Sequence, residues 1–251
     1  ESECFFPALS PKNHVEIPLM FLHNIFDRTE KYKSDHLFLQ YAEDTMKHAC
    51  LIISGGEYDP YLPSADEYDY VIACDKGYEY ACALGLVPDI VIGDMDSVSC
   101  SIPKDVKTIL LPKEKDDTDT SCAIKHAISL GYTDISVLCA MGGRPDHAFA
   151  NIQALCGAAA LNTRARMVSS DAVIHALCSS SITLKRKEGW NFSVFSASDC
   201  CRGVVITGAY YPLDGAELYN TFPKGQSNEW AAEEAMISCG SGFLIVMETK
   251  I

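Results

Sequence analysis

Short apolar segments recur along the chain between residues 49 and 139, and the first three of them end at Gly or Asp. These three are Ala49 to Ser54, Tyr70 to Cys74 and Ile90 to Ile92. Two further segments follow at 106–111 and 135–139. Segments that are this short and apolar on both faces are typical of strands buried in a parallel sheet. A chain with this pattern has to cover both faces of the sheet with helices.

Helical periodicity is found in the stretches that would supply this cover. Thr120 to Leu130 carries apolar residues at helical spacing. Ala148 to Leu161 is rich in Ala and Leu, and Asp146 is a candidate N-cap for that helix. The alternation predicts an α/β domain with a mainly parallel sheet over residues 46–164.

The pattern changes from Arg166 onward. Short stretches rich in β-branched and aromatic residues are separated by turn residues, and no long helix is predicted. This predicts an all-β sandwich over residues 165–251. Residues 1–45 show no sustained periodicity and are assigned only as an extension of unknown role.

Composition excludes several classes of partner. The chain carries 20 basic and 34 acidic side chains, a formal net charge of −14. Such a charge repels nucleic acid and anionic lipid, so a bound polyphosphate is expected to arrive with a divalent cation. The 12 cysteines form no CxxC pair and are expected to be free thiols. With no membrane-length apolar run and no basic start to the chain, a cytoplasmic protein without nucleic-acid or membrane partners is predicted.

Acidic residues follow the predicted strands at the point where each strand ends. Asp75 follows the second strand, Asp94 and Asp96 follow the third in GDMDS, and three more carboxylates lie in KDDTDT, residues 115–120, before a helix. The carboxyl ends of parallel strands line one crevice. Carboxylates that meet there need a neutralising cation, and their hard oxygen atoms favour Mg²⁺.

Each of these aspartates also has a simpler explanation, because Asp is a common N-cap and turn residue. Taken one at a time, capping is the more frequent role. Capping explains one Asp for each helix. It does not explain why Asp94 and Asp96 flank Met95 directly after a buried strand, and so the set as a whole favours a cation site.

The segment MGGRPDH at 141–147 has the features of a phosphate-binding turn. Glycines let backbone amides approach an anion, the start of a helix adds its positive dipole end, and Arg144 offers a planar pair of donors. Neither GxxxxGK[ST] nor GxGxxG is present. The turn alone is a weak signal. Beside a carboxylate cluster it predicts that Arg144 and Lys115 bind the phosphate oxygens whose charge Mg²⁺ does not neutralise.

Two segments of the C-terminal part combine aromatic and small polar side chains. They are YYPLDGAEL at 210–218 and KGQSNEW at 224–230. Tyr211 is suited to stack on a flat heterocycle, with Ser227 and Asn228 as hydrogen-bonding partners. A β-hairpin with ordinary turn residues explains the same segments, and the residues alone favour that explanation.

The motifs GDMDS, KDDTDT and GGRPDH, in this order and followed by YPL and SNEW, resemble those of the thiamine pyrophosphokinase family. The resemblance covers residues 48–251. It implies an α/β domain that carries ATP and metal, a β-sandwich that contributes to a thiamine site, and a homodimer with active sites between subunits.

The resemblance also implies individual roles. The implied metal ligands are Asp75, Asp94, Asp96 and Asp119. The implied catalytic residues are Asp94, Asp96, Asp119 and Arg144. The implied ATP-binding residues are Asp75, Lys115, Asp116, Thr118, Gly142, Gly143, Arg144, Asp146 and His147. The implied thiamine-binding residues are Tyr211, Ser227 and Asn228.

The activity implied by the resemblance is ATP-dependent pyrophosphoryl transfer to the hydroxyl of thiamine, which gives thiamine diphosphate and AMP with Mg²⁺ as cofactor. Two alternatives remain open. The same carboxylates would serve a Mg²⁺-dependent nucleotide phosphohydrolase that directs water instead of an alcohol. A thiamine-binding module that has kept the scaffold but lost turnover is the other.

Overall fold

The computed structural model describes residues 48–112, 114 and 116–251. Within these residues the chain forms two sheets and three α-helices. The strands are β1 (Ala49–Ile53), β2 (Tyr70–Cys74), β3 (Ile90–Gly93), β4 (Lys107–Leu110), β5 (Asp134–Leu138), β6 (Arg164–Val168), β7 (Ala172–Cys178), β8 (Ser181–Lys185), β9 (Trp190–Ser196), β10 (Cys200–Thr207), β11 (Leu213–Tyr219), β12 (Gly225–Asn228), β13 (Glu234–Ser238) and β14 (Phe243–Lys250). The helices are α1 (Gly77–Ala83), α2 (Asp119–Ser129) and α3 (Pro145–Ala160), and a 3₁₀ turn spans Ala65–Glu67.

The larger sheet has ten strands in the order β12-β9-β14-β7-β6-β5-β1-β2-β3-β4. All pairs from β6 to β4 are parallel, as predicted for the N-terminal part. The pairs from β6 to β12 are antiparallel. Strand β6 joins the two halves, because Val168 is paired in parallel with Leu138 and antiparallel with Val173.

Helices cover the two faces of the parallel half, which explains the two-sided apolar strands. Alternate residues of a strand point to opposite faces. Cys50 and Ile52 of β1 pack in a core that includes residues of α2 and α3. Leu51 and Ile53 pack on the opposite side, in a core that includes Ala81 of α1.

The second sheet is antiparallel, in the order β11-β10-β13-β8, and it packs on the antiparallel half of the larger sheet. Their shared core contains Phe192 from one sheet and Ile237 from the other. Trp230 lies in this core with its ring centroid 4.9 Å from that of Phe192, and its indole N–H donates to the carbonyl of Leu184 at 3.2 Å. A large mixed sheet with a second antiparallel sheet is therefore the observed architecture.

The secondary structure differs from the sequence prediction at a few places. Helix α3 begins at Pro145, so its N-cap is Arg144 and the predicted cap Asp146 lies in the first turn. Helix α1 and strand β13 were not predicted. Short elements of this kind have too few residues to establish a period. The β-hairpin explanation of 210–218 and 224–230 was wrong, because β11 pairs with β10 and β12 pairs with β9 in a different sheet. No helix of the described residues combines the length and apolar character that a membrane crossing requires.

Candidate active site

A cavity of about 780 Å³ opens at the carboxyl ends of the parallel strands. From β1 the chain adds β2, β3 and β4 on one side and β5 and β6 on the other. The direction in which strands are added therefore reverses between β1 and β5, and ligands bind at such a point in open α/β sheets. The loops after β1, β2, β3 and β5 and the first turns of α2 and α3 line the cavity.

Most of the predicted nucleotide and metal residues line this cavity. They are Asp75, Asp94, Asp96, Thr118, Asp119, Gly142, Gly143, Arg144 and His147. Asp116 instead lines a neighbouring cavity of about 420 Å³ between α2 and α3, and Asp146 lines neither. Lys115 lies outside the described residues. Residues from four separate parts of the chain thus meet at one edge of the sheet.

Asp75 is held in an unusual backbone conformation at the end of β2. Its φ of 44° lies in the left-handed region, and its Oδ1 accepts a hydrogen bond from the amide of Met95 at 3.0 Å. Met95 and Cys139, at the ends of β3 and β5, also have positive φ values. Backbone conformations of this kind cost free energy and persist where the surrounding structure imposes them, often at functional sites.

The pKa of the Asp75 carboxyl is raised to about 6. Burial is the largest cause, and the hydrogen bond and negative charge of Asp119 and the charge of Asp94 add to it, while the Met95 amide opposes them. Carboxylates that interact this closely disfavour each other's ionised form. A cation between them would remove this cost.

The donor atoms of this carboxylate group suit Mg²⁺. Among residues 48–112, 114 and 116–251, no three His, Cys, Asp or Glu side chains already converge into a closed metal cluster. Mg²⁺ requires no such cluster, because it normally keeps several waters and is bound through one or two carboxylates together with substrate phosphates. Asp75 and Asp119, which share a hydrogen bond, and Asp94 and Asp96 in the same cavity supply oxygen donors of the required kind.

The opposite wall of the cavity carries the Gly-Gly-Arg turn. Gly142 and Gly143 have φ values of 76° and 65°, which an L side chain rarely adopts. Arg144 donates to Asp146 from Nε at 3.2 Å and from a terminal nitrogen at 2.6 Å. This pairing lowers the pKa of Asp146 and orients the guanidinium at the start of α3.

Beside the predicted Thr118, the cavity is lined by Asp117, which was not identified from the sequence. Thr118 caps α2 by accepting from the amide of Ser121 at 3.1 Å, and Asp117, not Asp116, lines the cavity. Asp117 also forms an ion pair with Lys125. The direction in which successive carboxylates point depends on where the helix begins, which a run of acidic residues does not reveal.

Buried polar side chains link the loops that line the cavity to helices α2 and α3. Asn151 of α3 donates to the carbonyl of Ala140 at 2.9 Å, and the hydroxyls of Ser54 and Thr120 are 2.7 Å apart. These bonds tie the ends of β1 and β5 to the two helices. The position of Ser54 at the end of an apolar strand was the available sequence signal for its role.

The predicted thiamine-binding residues form a separate group, in β12 and in the loop before β11. The Asn228 side chain is 4% exposed; its Oδ1 accepts from the amide of Tyr211 at 3.0 Å, and its Nδ2 donates to the Tyr211 carbonyl at 2.8 Å. The amide of Ser227 donates to the hydroxyl of Ser193 at 3.0 Å. Tyr211 is 62% exposed, and its ring lies edge-on to that of Tyr210 at 5.0 Å. None of the three predicted residues lines the carboxylate cavity of the same chain.

The chain is similar to known thiamine pyrophosphokinases in two comparisons. Residues 62–168 match the family model described as "Thiamin pyrophosphokinase, catalytic domain". The thiamine pyrophosphokinase of Bacillus subtilis (strain 168) is 25% identical over 190 residues, which cover 73% of this chain and 89% of the relative.

Solved structures show the same fold. A crystal structure of thiamine pyrophosphokinase from Bacillus subtilis matches with a TM-score of 0.70 and 22% identity, covering 81% of this chain and 99% of the other. Thiamin pyrophosphokinase from Candida albicans matches with a TM-score of 0.64 and 14% identity, covering 81% and 90%. These matches confirm the predicted fold class in its coarse form, which is a mainly parallel sheet with helices in the N-terminal part and antiparallel strands in the C-terminal part. The boundary between the two predicted domains, 46–164 and 165–251, stays a prediction.

Proposed function

We propose that this chain is an enzyme that transfers the pyrophosphoryl group of ATP to the hydroxyl of thiamine. Its predicted resemblance to the thiamine pyrophosphokinases is confirmed by the matches described above. The products are thiamine diphosphate and AMP. In this reaction the hydroxyl attacks the β-phosphorus, and the α-phosphate leaves with the nucleoside. The observation that carries the proposal is that the acidic motifs and the Gly-Gly-Arg turn line one cavity.

The carboxylate wall, which is the side of the cavity that Asp75, Asp94, Asp96 and Asp119 line, is assigned to the metal. Asp75, Asp94, Asp96 and Asp119 would hold Mg²⁺, which when bound neutralises charge on the phosphate oxygens. One of Asp94 and Asp119 is assigned to orient the thiamine hydroxyl or accept its proton. Phosphoryl transfer asks little covalent chemistry of a protein, so positioning and charge neutralisation supply most of the rate enhancement.

The opposite wall is assigned to the phosphates. Backbone amides of the Gly142-Gly143 turn and the guanidinium of Arg144 are donors at the start of α3, where the helix dipole favours anions. In this proposal Asp146 acts through Arg144, because the two side chains are paired. His147 and Thr118 line the same cavity and are assigned to the nucleotide.

The thiamine site is assigned to the segment around Tyr211. Its exposed ring would stack on the vitamin, with Ser227 beside it, and the buried Asn228 would hold the Tyr211 backbone. This segment does not line the carboxylate cavity of its own chain. A homodimer in which one copy's Tyr211 segment faces the partner's cavity would join the two parts, as the resemblance implies.

Formation of thiamine diphosphate and AMP from thiamine, ATP and Mg²⁺ tests the proposal, with each product quantified by mass spectrometry. The phosphohydrolase alternative predicts that AMP forms at the same rate when thiamine is left out. The binding-module alternative predicts calorimetric binding of thiamine without any product. The expected result is that both products form at equal rates and only when thiamine is present. The cytoplasmic location and the absence of nucleic-acid and membrane partners stay predictions.

A further inference from the structure

The carboxylate of Glu57 lies against the Gly142-Gly143 turn. Its Oε2 accepts a hydrogen bond from the amide of Gly143 at 3.1 Å. A β-carbon on Gly142 would stand 2.3 Å from the same oxygen, so the carboxylate packs directly on the glycine backbone. A negatively charged group of the protein therefore already occupies a donor of the turn that is assigned to phosphate.

The backbone fixes Glu57 in this place. The amide of Gly56 donates to the carbonyl of Cys139 at 2.8 Å, and the amide of Glu57 donates to that of Met141 at 3.3 Å. A β-carbon on Gly56 would stand 2.5 Å from the Cys139 oxygen, so the two loops are in close contact. The pairing of β1 with β5 thus places Glu57 beside the turn, although Glu57 and Gly143 are 86 positions apart in the sequence.

The second donor on this wall is also paired with a carboxylate, since Arg144 contacts Asp146. A phosphate that binds the turn has to replace the Glu57 carboxylate at Gly143 and then remain close to it. Like charges at such distances repel, and the repulsion is strong where water is partly excluded. A phosphate whose charge is reduced by a divalent cation meets much less of this repulsion.

We propose that Glu57 is a specificity-determining residue, whose carboxylate occupies the phosphate position of the Gly142-Gly143 turn and thereby selects metal-bound over metal-free polyphosphate. This inference rests on the proposed function, since it concerns the same phosphate site. An enzyme with this residue avoids filling its cavity with metal-free nucleotide that has no cation to support transfer.

A purely structural role for Glu57 makes a different prediction. If the side chain only ties the loop after β1 to the turn, its replacement lowers the melting temperature and leaves phosphate affinity unchanged or weaker. If Glu57 competes with phosphate, its replacement tightens binding of metal-free phosphate. Affinity therefore separates the two roles even where stability changes in both.

The experiment uses the full chain and inorganic pyrophosphate as the probe, with calorimetric titrations in EDTA and in excess Mg²⁺. The variants are Glu57→Gln, which keeps the size of the side chain, and Glu57→Ala, which empties the position. Glu67→Gln is the matched control, because it removes the same charge from an exposed residue of the 3₁₀ turn that does not line the cavity. We expect Glu57→Gln to bind metal-free pyrophosphate about fivefold more tightly than the unmodified chain.

The same variant should change the affinity for Mg²⁺-pyrophosphate much less, and Glu67→Gln should change neither. Unchanged or weaker binding of metal-free pyrophosphate by Glu57→Gln overturns the inference, and Glu57→Gln alone decides if Glu57→Ala does not fold. Pyrophosphate binding that is unaffected by Glu57 leaves the proposed function standing. If neither the unmodified chain nor any variant binds pyrophosphate, with or without Mg²⁺, the inference and the proposed function are both overturned.

Discussion

Gly93 lies directly against the carboxylate of Asp75, so that a β-carbon at position 93 would stand 1.8 Å from Asp75 Oδ1. The two residues come from neighbouring strands, since Ile92 is paired with Cys74. The space left by the missing side chain lets Asp75 reach the amide of Met95. The first residue of GDMDS is therefore required for the geometry of an aspartate 18 positions earlier in the chain.

Gly93→Ala should displace the Asp75 carboxylate without unfolding the sheet. A misplacement of about 1 Å in a site of this kind lowers turnover by about 100-fold. The rate of AMP formation with saturating thiamine, measured as a function of Mg²⁺, checks this. Gly157→Ala is the control, because a β-carbon there meets nothing within 4 Å. Unchanged turnover in Gly93→Ala would show that Asp75 does not need its observed position.

Asp96→Asn tests the carboxylate wall itself. Asp96 is exposed at the cavity, so a neutral amide of the same size should preserve the fold while removing charge opposite the metal. We expect turnover to fall by about 100-fold or more. Circular dichroism and product formation are the two measurements, and Asp66→Asn in the exposed 3₁₀ turn is the control. Turnover close to that of the unmodified chain would count against the metal assignment of Asp96.

Tyr211→Ala tests the thiamine segment. Because the ring is largely exposed, its removal should leave the melting temperature nearly unchanged. Loss of one stacking contact should raise the KM for thiamine by about 10-fold, with the KM for ATP unaffected. Steady-state kinetics with each substrate varied in turn check this. An unchanged KM for thiamine would remove Tyr211 from the site.

Asn228→Ala should differ from Tyr211→Ala in its effect on stability. The change removes the partners of the Tyr211 amide and carbonyl, next to a buried position. Loss of these hydrogen bonds should cost about 1–3 kcal/mol of the free energy of unfolding and also raise the KM for thiamine. Denaturant unfolding and kinetics together test this. A raised KM without any loss of stability would indicate that Asn228 contacts the substrate directly.

The buried carboxylate of Glu248 makes stability depend on pH. Glu248 is 3% exposed, and its carboxylate contacts Lys187 Nζ at 2.7 Å and His175 Nε2 at 3.2 Å. Burial alone would raise the pKa of Glu248, but the hydrogen bonds and charges of His175 and Lys187 outweigh it, and the pKa is lowered. In the unfolded chain the pKa of Glu is about 4.3. The stabilisation is therefore present above about pH 4.3 and is lost as the pH falls through the lower pKa of the folded state.

Glu248→Gln should accordingly lower the free energy of unfolding by about 1–2 kcal/mol at pH 7, because it replaces charged hydrogen bonds by neutral ones while Lys187, which is 38% exposed, is partly screened by water. The difference between the variant and the unmodified chain should shrink as the pH falls below about 4. Thermal unfolding across this pH range measures it. A difference that stays constant with pH would show that charge at Glu248 does not contribute.

Local sequence patterns were sufficient to predict most of the strands, the two longer helices and the general location of the site. Strand β2 has the bounds that its apolar segment predicts, Tyr70 to Cys74, because two-sided burial leaves a continuous apolar run. Convergence of Asp75, Asp94 and Asp119 followed from one topological rule, that parallel strands end at a common edge. Both inferences use information that lies within a few residues of the position concerned.

The amino-acid sequence by itself therefore determined most of the strands, the helices α2 and α3 and the set of acidic motifs, because local periodicity and the residues at strand ends are properties of neighbouring positions. Only the tertiary structure decided that β6 continues one sheet into the antiparallel half, that Glu57 rests on the Gly142-Gly143 turn and that Asn228 holds Tyr211. These relationships depend on strand pairing and side-chain packing between distant segments. Such contacts are set by the close-packed interior as a whole and leave no periodic signal along the chain.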